Sequence, residues 1–136
     1  MKNSTEELVI TSELDATAEA RSWVTQHAQQ AGFYDNDLFS IELAVGEALT
    51  NVVEHAYNGE AGHNIYISLT IDETKLTLTI RDLGRKFNKE LYSPPDLSTP
   101  SEHGGYGVFL IFELMDEVIY DTSLPQGTQI KMVKYK

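Results

Sequence analysis

Residues 65–80 read IYISLTIDETKLTLTI, and the aliphatic residues of this stretch occupy every second position. The alternation runs from Ile65 to Ile71, stops at a polar turn, and resumes from Leu76 to Ile80. A period of two places all the aliphatic side chains on one face of a strand. The stretch therefore predicts a β-hairpin whose aliphatic face packs against a hydrophobic core.

A short strand and two helices are predicted before the hairpin. Leu8–Ile10 is short and apolar, which is consistent with a first strand. Apolar residues at helical spacing then predict a helix that Asp15 caps and Gly32 ends. A second helix is predicted from about Asp37 to Tyr57, because apolar residues recur there at intervals of three, four and seven.

After the hairpin the periodicity disappears over Gly84–Gly105, a stretch that holds three of the four prolines. About twenty irregular residues inside a compact domain are uncommon and typical of a functional lid. Helical spacing returns at residues 108–115, and two closing strands are predicted at 118–120 and 128–135. This order predicts one α+β domain over residues 1–136, a two-layer α/β sandwich with helices on one face of a mainly antiparallel sheet.

The composition limits the classes of partner and chemistry. The chain has 136 residues, with 10 lysines and arginines against 21 aspartates and glutamates, for a formal charge of -11. This balance works against nucleic acid and anionic membranes as partners, since both need a basic surface. The absence of cysteine excludes disulfides, thiolate zinc sites and a cysteine nucleophile. Because MKNSTEELVI has no apolar signal region, we expect a cytoplasmic protein.

One candidate site lies on the second predicted helix. Glu47 and Asn51 are four residues apart, so their side chains project from the same side of the helix. A carboxylate in this place can act as a general base, and an amide oxygen can hold a hard cation such as Mg²⁺. A solvent-facing polar stripe is the alternative interpretation. The helix is apolar nearly all round, which favours a pair that lines a pocket.

Two glycine-containing segments complete the candidate site. Asp82 ends the second hairpin strand and precedes Gly84, where a carboxylate can accept a hydrogen bond from a ligand amino group; an ordinary turn is the alternative. Gly105-Tyr106-Gly107 lies after the predicted lid and opens the third helix. Backbone N–H groups and the helix dipole can approach a phosphate there, although a flexible connector fits the same residues.

The order of these segments resembles the N, G1, G2 and G3 boxes of the GHKL ATPase superfamily, whose members share the Bergerat fold. The boxes here are Glu47-x-x-x-Asn51, Asp82-x-Gly84, Gly105-x-Gly107 and Gly127-Thr128. The closer similarity is to the bacterial anti-sigma factor serine/threonine-protein kinases. Residues 47–57 (EALTNVVEHAY) look like the N box of that branch, and residues 104–111 (GGYGVFLI) look like its G2 box.

The resemblance implies a role for each matching residue. Glu47 would be the catalytic base, Asn51 would ligate Mg²⁺ on the phosphates, and Asp82 would accept a hydrogen bond from the adenine amino group. The residues implied in nucleotide binding are Asn51, Asp82, Gly84, Gly105, Tyr106, Gly107, Val108 and Thr128. Lys86 departs from the superfamily pattern, because it stands where D-x-G-x-G has its second glycine. Arg85 and Lys86, at the start of the predicted lid, are candidate neighbours of the phosphates, and the resemblance implies no role for them.

The resemblance also implies a function. The chain would transfer the γ-phosphoryl group of ATP to a serine or threonine of a STAS-type anti-sigma factor antagonist. It would also sequester a sigma factor as an anti-sigma factor, and it would form a homodimer. Two other interpretations remain open: a non-catalytic ATP-binding switch that acts through protein partners, and an interaction domain with no ligand.

Overall fold

The computed structural model describes residues 4–87 and 105–136. Its elements in chain order are β1 (Ser4–Thr11), α1 (Leu14–Gln30), α2 (Asp35–Asn51), a π-helical segment (Val52–Ala56), β2 (Asn64–Ile71), β3 (Lys75–Asp82), α3 (Gly105–Leu114), β4 (Glu117–Asp121) and β5 (Gln129–Tyr135). Most of the predicted lid, residues 84–105, lies outside the described residues. The helices α1 and α2 have 17 residues each, and within the described ranges no helix is long and apolar enough to cross a membrane.

The five described strands form one antiparallel sheet in the order β1-β2-β3-β5-β4. The predicted hairpin is confirmed as β2 and β3, which pair Ile67 with Ile80 and Leu69 with Leu78. Alternate residues of both strands are buried, so the aliphatic face lies inside as its period predicts. The two predicted closing strands are confirmed as β4 and β5, and β5 continues the sheet from β3.

The helices cover the face of the sheet that carries the aliphatic side chains of the hairpin. Val24 of α1, Leu49 of α2 and Ile111 of α3 are fully buried in the same core as the sheet residues. On the opposite face of the sheet, Tyr66 and Ile119 are exposed. The structure is therefore an α+β two-layer sandwich, and the predicted fold class is confirmed.

The N-cap of the first helix lies two residues before the predicted cap, Asp15. Glu13 is the N-cap and makes no capping hydrogen bond with its side chain, because its Oε1 accepts the N–H of Gly62 at 3.1 Å instead. The prediction that Asp15 caps the helix is wrong, although its carboxylate lies in the first turn, where the helix dipole favours it. Gly32 adopts the expected positive φ, 102°.

The second helix is not the single α-helix predicted over residues 37–57. The α-helical hydrogen bonding of α2 ends at Asn51, and the backbone widens into the π-helical segment Val52–Ala56. The N–H of Tyr57 reaches five residues back, to the carbonyl of Val52, at 3.0 Å. Both valines of the segment are buried. Single π turns are frequent at functional sites, and this one directly follows a predicted site residue.

Candidate functional site

The amino-terminal end of α3 lies against the polar pair of α2. A Cβ built on Gly107 would lie 2.7 Å from Oε2 of Glu47 and 3.5 Å from both amide atoms of Asn51. A carbon and a carboxylate oxygen cannot approach to 2.7 Å without displacement, so a side chain at this position would move Glu47. The structure thus brings Gly107 next to Glu47 and Asn51, which lie more than 50 positions earlier in the sequence.

Asn51 carries a polar atom that lacks a partner among the residues that the structure describes. Its Nδ2 is buried and makes no hydrogen bond with the described residues. A buried polar atom left unpaired costs about 1–3 kcal/mol, which points to a missing ligand. The oxygen and nitrogen of an amide are assigned from their partners. Rotation of the amide would therefore present the oxygen, a suitable donor to a hard cation, at the same place.

The start of α3 is the second component of the part of the site around Glu47 and Asn51. We refer to Glu47, Asn51 and the start of α3 as the phosphate half of the site. The helix begins at Gly105 and runs for 10 residues, so its first-turn N–H groups carry the partial positive charge of the helix dipole. Gly107 is buried and Val108 is half-buried. The side chain of Tyr106 lies outside the described part of the chain. An anion next to Glu47 and Asn51 would thus meet backbone N–H groups.

Asp82 lies at the end of β3 and is nearly inaccessible, with 3% of its surface exposed. Its Oδ1 accepts the N–H of Gly84 at 2.9 Å. Burial raises the pKa of the Asp82 carboxyl, and the N–H groups of Gly84 and Thr128 oppose the rise. The carboxylate is therefore held at the end of β3 by backbone N–H groups on two sides.

Gly84 is held against the end of the π-helical segment. A Cβ on Gly84 would overlap the carbonyl oxygen of Ala56 and would lie 2.9 Å from Cδ1 of Tyr57. The same carbonyl of Ala56 accepts the N–H of Arg85 at 2.8 Å. Only glycine fits at position 84, because backbone atoms rather than a flexible side chain stand in the way. Asp82 is thereby fixed relative to the helix that carries Asn51.

Gly127 and Thr128 support the other side of Asp82. Gly127 has φ 75°, and a Cβ there would overlap the backbone carbonyl of Asp82. The backbone N–H of Asp82 donates to the carbonyl of Thr128 at 3.0 Å. The Thr128 hydroxyl accepts the N–H of Phe87 at 2.8 Å and is almost fully buried. Thr128 thus acts on the candidate site through the backbone that surrounds Asp82.

The two cations after Gly84 have carbonyl partners. The Lys86 ammonium donates to the carbonyls of Thr122 and Leu124, at 2.8 and 2.6 Å. The Arg85 guanidinium donates to the carbonyl of His55 at 3.2 Å. Lys86 therefore anchors the chain after Gly84 to the β4–β5 connection, instead of facing the polar pair. Sequence reasoning missed this role, because a lysine's reach to distant carbonyls leaves no local pattern.

The residues present fit a magnesium ion with few protein ligands. Among the residues that the structure describes, no group of three histidine, cysteine, aspartate or glutamate side chains could hold a metal. Mg²⁺ bound with phosphates needs only one or two side-chain oxygens from the protein. The unpaired amide of Asn51, beside the carboxylate of Glu47, offers such oxygens.

Comparisons with known proteins identify the family of this domain. Residues 10–134 match the family model of the histidine kinase-like ATPase domain. The chain is 37% identical to the serine-protein kinase RsbW of Listeria monocytogenes over 117 residues, which cover 79% of this chain and 72% of that protein. It is 32% identical to RsbW of Bacillus mycoides over 138 residues, which cover 95% of this chain and 83% of that protein.

Two solved structures share the fold. The RsbU and RsbW domains of Rv1364c from Mycobacterium tuberculosis superpose with a TM-score of 0.70 at 15% identity, covering 96% of this chain and 31% of that chain. The mycobacterial sensor histidine kinase MprB superposes with a TM-score of 0.59 at 15% identity, covering 97% of both chains. The chain belongs to the histidine kinase-like ATPase family, and within it to the serine/threonine protein kinases of RsbW type.

Proposed function

We propose that this kinase is a cytoplasmic anti-sigma factor. It would transfer the γ-phosphoryl group of ATP to a serine or threonine of a small antagonist protein with a STAS-type domain. It would also hold a sigma factor until the unphosphorylated antagonist displaces that factor. The observation that carries the proposal is the meeting of Glu47, Asn51 and Gly107 at the start of α3, since these residues can serve a base, a cation and a phosphate.

Glu47 is the proposed general base. Its Oε2 faces the start of α3, where the γ-phosphate would be bound by backbone N–H groups. A substrate hydroxyl at this place would give its proton to Oε2 while its oxygen attacks the γ-phosphorus. The bond from that phosphorus to the bridging oxygen of ADP then breaks. Positioning and charge stabilisation provide most of the acceleration in such transfers.

Asn51 is the proposed magnesium ligand. Bound Mg²⁺ neutralises charge on the phosphate oxygens. The amide nitrogen of Asn51 is buried at the end of α2, so the amide has little freedom to turn away from the phosphates. The π-helical segment follows Asn51 directly. Removal of this amide should therefore affect nucleotide binding more than folding.

Asp82 is the proposed adenine contact. Its side chain is buried, and Oδ1 is fixed by the N–H of Gly84. An exocyclic amino group is a hydrogen-bond donor, and a buried carboxylate oxygen is its matching acceptor. A base that presents a carbonyl in place of the amino group would face this acceptor with another acceptor. The site should therefore prefer adenine to hypoxanthine.

Charge and family relationship support protein partners of the proposed kind. The formal charge of -11 favours encounter with proteins that carry basic patches. The RsbW relatives are named serine-protein kinases, which supports a protein substrate with a hydroxyl acceptor. We also propose a homodimer as the working unit, following the resemblance to the anti-sigma factor kinases.

The test is a displacement assay with purified proteins. A fluorescent sigma factor is titrated with the chain in Mg-ADP, and unphosphorylated antagonist is then added. We expect the antagonist to release the sigma factor, and its phosphorylated form to release none. The matched control is a serine-to-alanine antagonist in Mg-ATP, which should displace the sigma factor persistently. Failure of every tested sigma factor to bind would contradict the anti-sigma role and leave the kinase assignment intact.

A further inference from the structure

The backbone of Leu83, between Asp82 and Gly84, is held by two side chains. Its N–H donates to the hydroxyl of Tyr57 at 2.8 Å. Its carbonyl accepts the side-chain amide of Gln126 at 3.0 Å. A residue just beyond a strand end has no ladder partner for these groups, so side chains supply both. We refer to Tyr57, Leu83 and Gln126 as the Leu83 clamp.

Tyr57 is the buried member of the Leu83 clamp. Its side chain is 5% exposed, and its ring stacks on His63 with centroids 4.6 Å apart and planes 9° apart. The hydroxyl also donates to the carbonyl of Asn64 at 2.7 Å. The phenol therefore uses both its donor and an acceptor position. Burial raises the pKa of Tyr57, which keeps this hydroxyl protonated and able to donate.

Tyr57 also joins the two halves of the candidate site. It follows the π-helical segment, which continues directly from the helix that carries Glu47 and Asn51. Its hydroxyl reaches across to the turn that carries Asp82. The position of Asp82 relative to the phosphate half therefore depends on this hydroxyl, together with the contact between Gly84 and Ala56.

We propose that the Tyr57 hydroxyl is a positioning residue for recognition of the nucleotide base. By fixing the N–H of Leu83, it sets the place of the Asp82 carboxylate that receives the adenine amino group. It acts through Asp82 and touches no nucleotide itself. This inference rests on the proposed function of the same site, and it gives a part in base preference to Tyr57, to which the family resemblance assigned no role.

The test compares ATP with inosine triphosphate, which has the same ribose and triphosphate and a carbonyl in place of the amino group. Tyr57→Phe keeps the ring and its stacking and removes only the hydroxyl. We expect the preference for ATP to fall about three- to tenfold, the range given by one lost hydrogen bond. Affinity for inosine triphosphate should change less than about twofold, because the phosphate half is untouched.

Two further variants separate positioning from general stability. Gln126→Ala removes the other side chain of the Leu83 clamp from an exposed position, and should lower the ATP preference in the same direction. Tyr34→Phe removes the hydroxyl of a tyrosine that is 71% exposed, and should leave the preference unchanged. Thermal unfolding of each variant reports folding separately. A purely structural role would lower the unfolding midpoint and leave the ratio of the affinities for ATP and inosine triphosphate unchanged.

The outcomes distinguish this inference from the proposed function. A wild-type chain that binds neither nucleotide overturns the proposed function, and the inference with it. A wild-type chain that prefers ATP, with the same preference in folded Tyr57→Phe and Gln126→Ala, overturns the inference alone. A reduced ATP preference in both variants, with normal affinity for inosine triphosphate, supports it.

Discussion

Gly107 of α3 faces Glu47 of α2 so closely that a Cβ on the glycine would lie 2.7 Å from the carboxylate oxygen Oε2. The two residues are 60 positions apart in sequence, and the packing of α3 on α2 brings them together. This packing places a proposed base at the start of a helix, where phosphates bind well. The absence of a side chain at 107 is therefore part of the site.

Gly107→Ala should reduce phosphoryl transfer much more than it reduces stability. The added methyl displaces Glu47, and a shift of about 1 Å in a catalytic group can cost a hundredfold in rate. The measurement is the transfer rate at saturating Mg-ATP. Gly46→Ala is the matched control, because its Cβ would meet only the flexible side chain of Arg21, at 3.1 Å. Equal activity in the two variants would contradict the close approach.

Asn51→Ala should abolish nucleotide binding with little effect on folding. The substitution removes a buried amide nitrogen that lacks a partner among the described residues, which offsets the packing that is lost. We expect the free energy of unfolding without nucleotide to stay within about 1 kcal/mol of wild type.

Thermal unfolding with Mg-ATP provides the readout for Asn51→Ala. Ligand at 100 times Kd stabilises the wild type by about 2.7 kcal/mol, which raises the midpoint by on the order of 10 °C. The variant should show no such rise, whereas Thr50→Ala, its neighbour on the helix, should. If the midpoint of Asn51→Ala rises with Mg-ATP as much as that of the wild type, Asn51 is not the ligand of Mg²⁺.

Asp82 should make stability depend on pH in a particular direction. Because burial raises its pKa above the usual value of about 3.9, the folded chain binds this proton more tightly than the unfolded chain. Its contribution is fully present below the unfolded pKa and is lost as pH rises through the folded pKa. The stability of Asp82→Asn relative to wild type should therefore increase from about pH 4 upward.

Asp72 provides a control of opposite sign for the same titration. Hydrogen bonds from the backbone and side chain of Thr74 lower the pKa of this exposed carboxyl. Its stabilising contribution is present above the unfolded pKa and is lost as pH falls. Urea unfolding extended below about pH 4 should show the stability of Asp72→Asn, relative to wild type, decreasing as the pH rises toward the unfolded pKa. Parallel trends in the two variants would contradict the burial of Asp82.

Lys86→Met should weaken ATP and ADP binding by the same factor. The ammonium is held by the carbonyls of Thr122 and Leu124, so its loss loosens the connection after Gly84 without removing a phosphate contact. Calorimetric titration of both nucleotides measures the two affinities. A selective loss of ATP affinity would show that Lys86 contacts the γ-phosphate.

The sheet and most of the core were predictable because their causes are local. Alternation in β2 and β3 reflects one buried face, and this pattern can be read directly from residues 65–80. The π-helical segment was not predictable. Arg85 donates to the carbonyls of Ala56 and His55, and these distant partners replace the regular continuation of the helix. The Glu13 side chain likewise has a distant partner, the N–H of Gly62, in place of the capping hydrogen bond.

The candidate site was also predictable only where its causes are local in sequence. The boxes that contain Glu47, Asn51 and Asp82 could be recognised because their spacing is a property of the sequence. Their meeting with Gly107 depends on helix packing, and only the structure reveals it. The hydroxyl of Tyr57 was missed, because its hydrogen bond to Leu83 crosses 26 positions and leaves no periodic signal.

The most direct test of Glu47 as the general base is phosphoryl transfer from ATP labelled at the γ-phosphate to a purified STAS-type protein. Wild type is compared with Glu47→Gln and with Glu42→Gln, an exposed glutamate on the same helix. We expect transfer by wild type and Glu42→Gln, and a loss of at least about a hundredfold in Glu47→Gln with Mg-ATP binding retained. Undiminished transfer by Glu47→Gln would contradict the assignment of Glu47 as the base and the proposed phosphoryl-transfer step that depends on it.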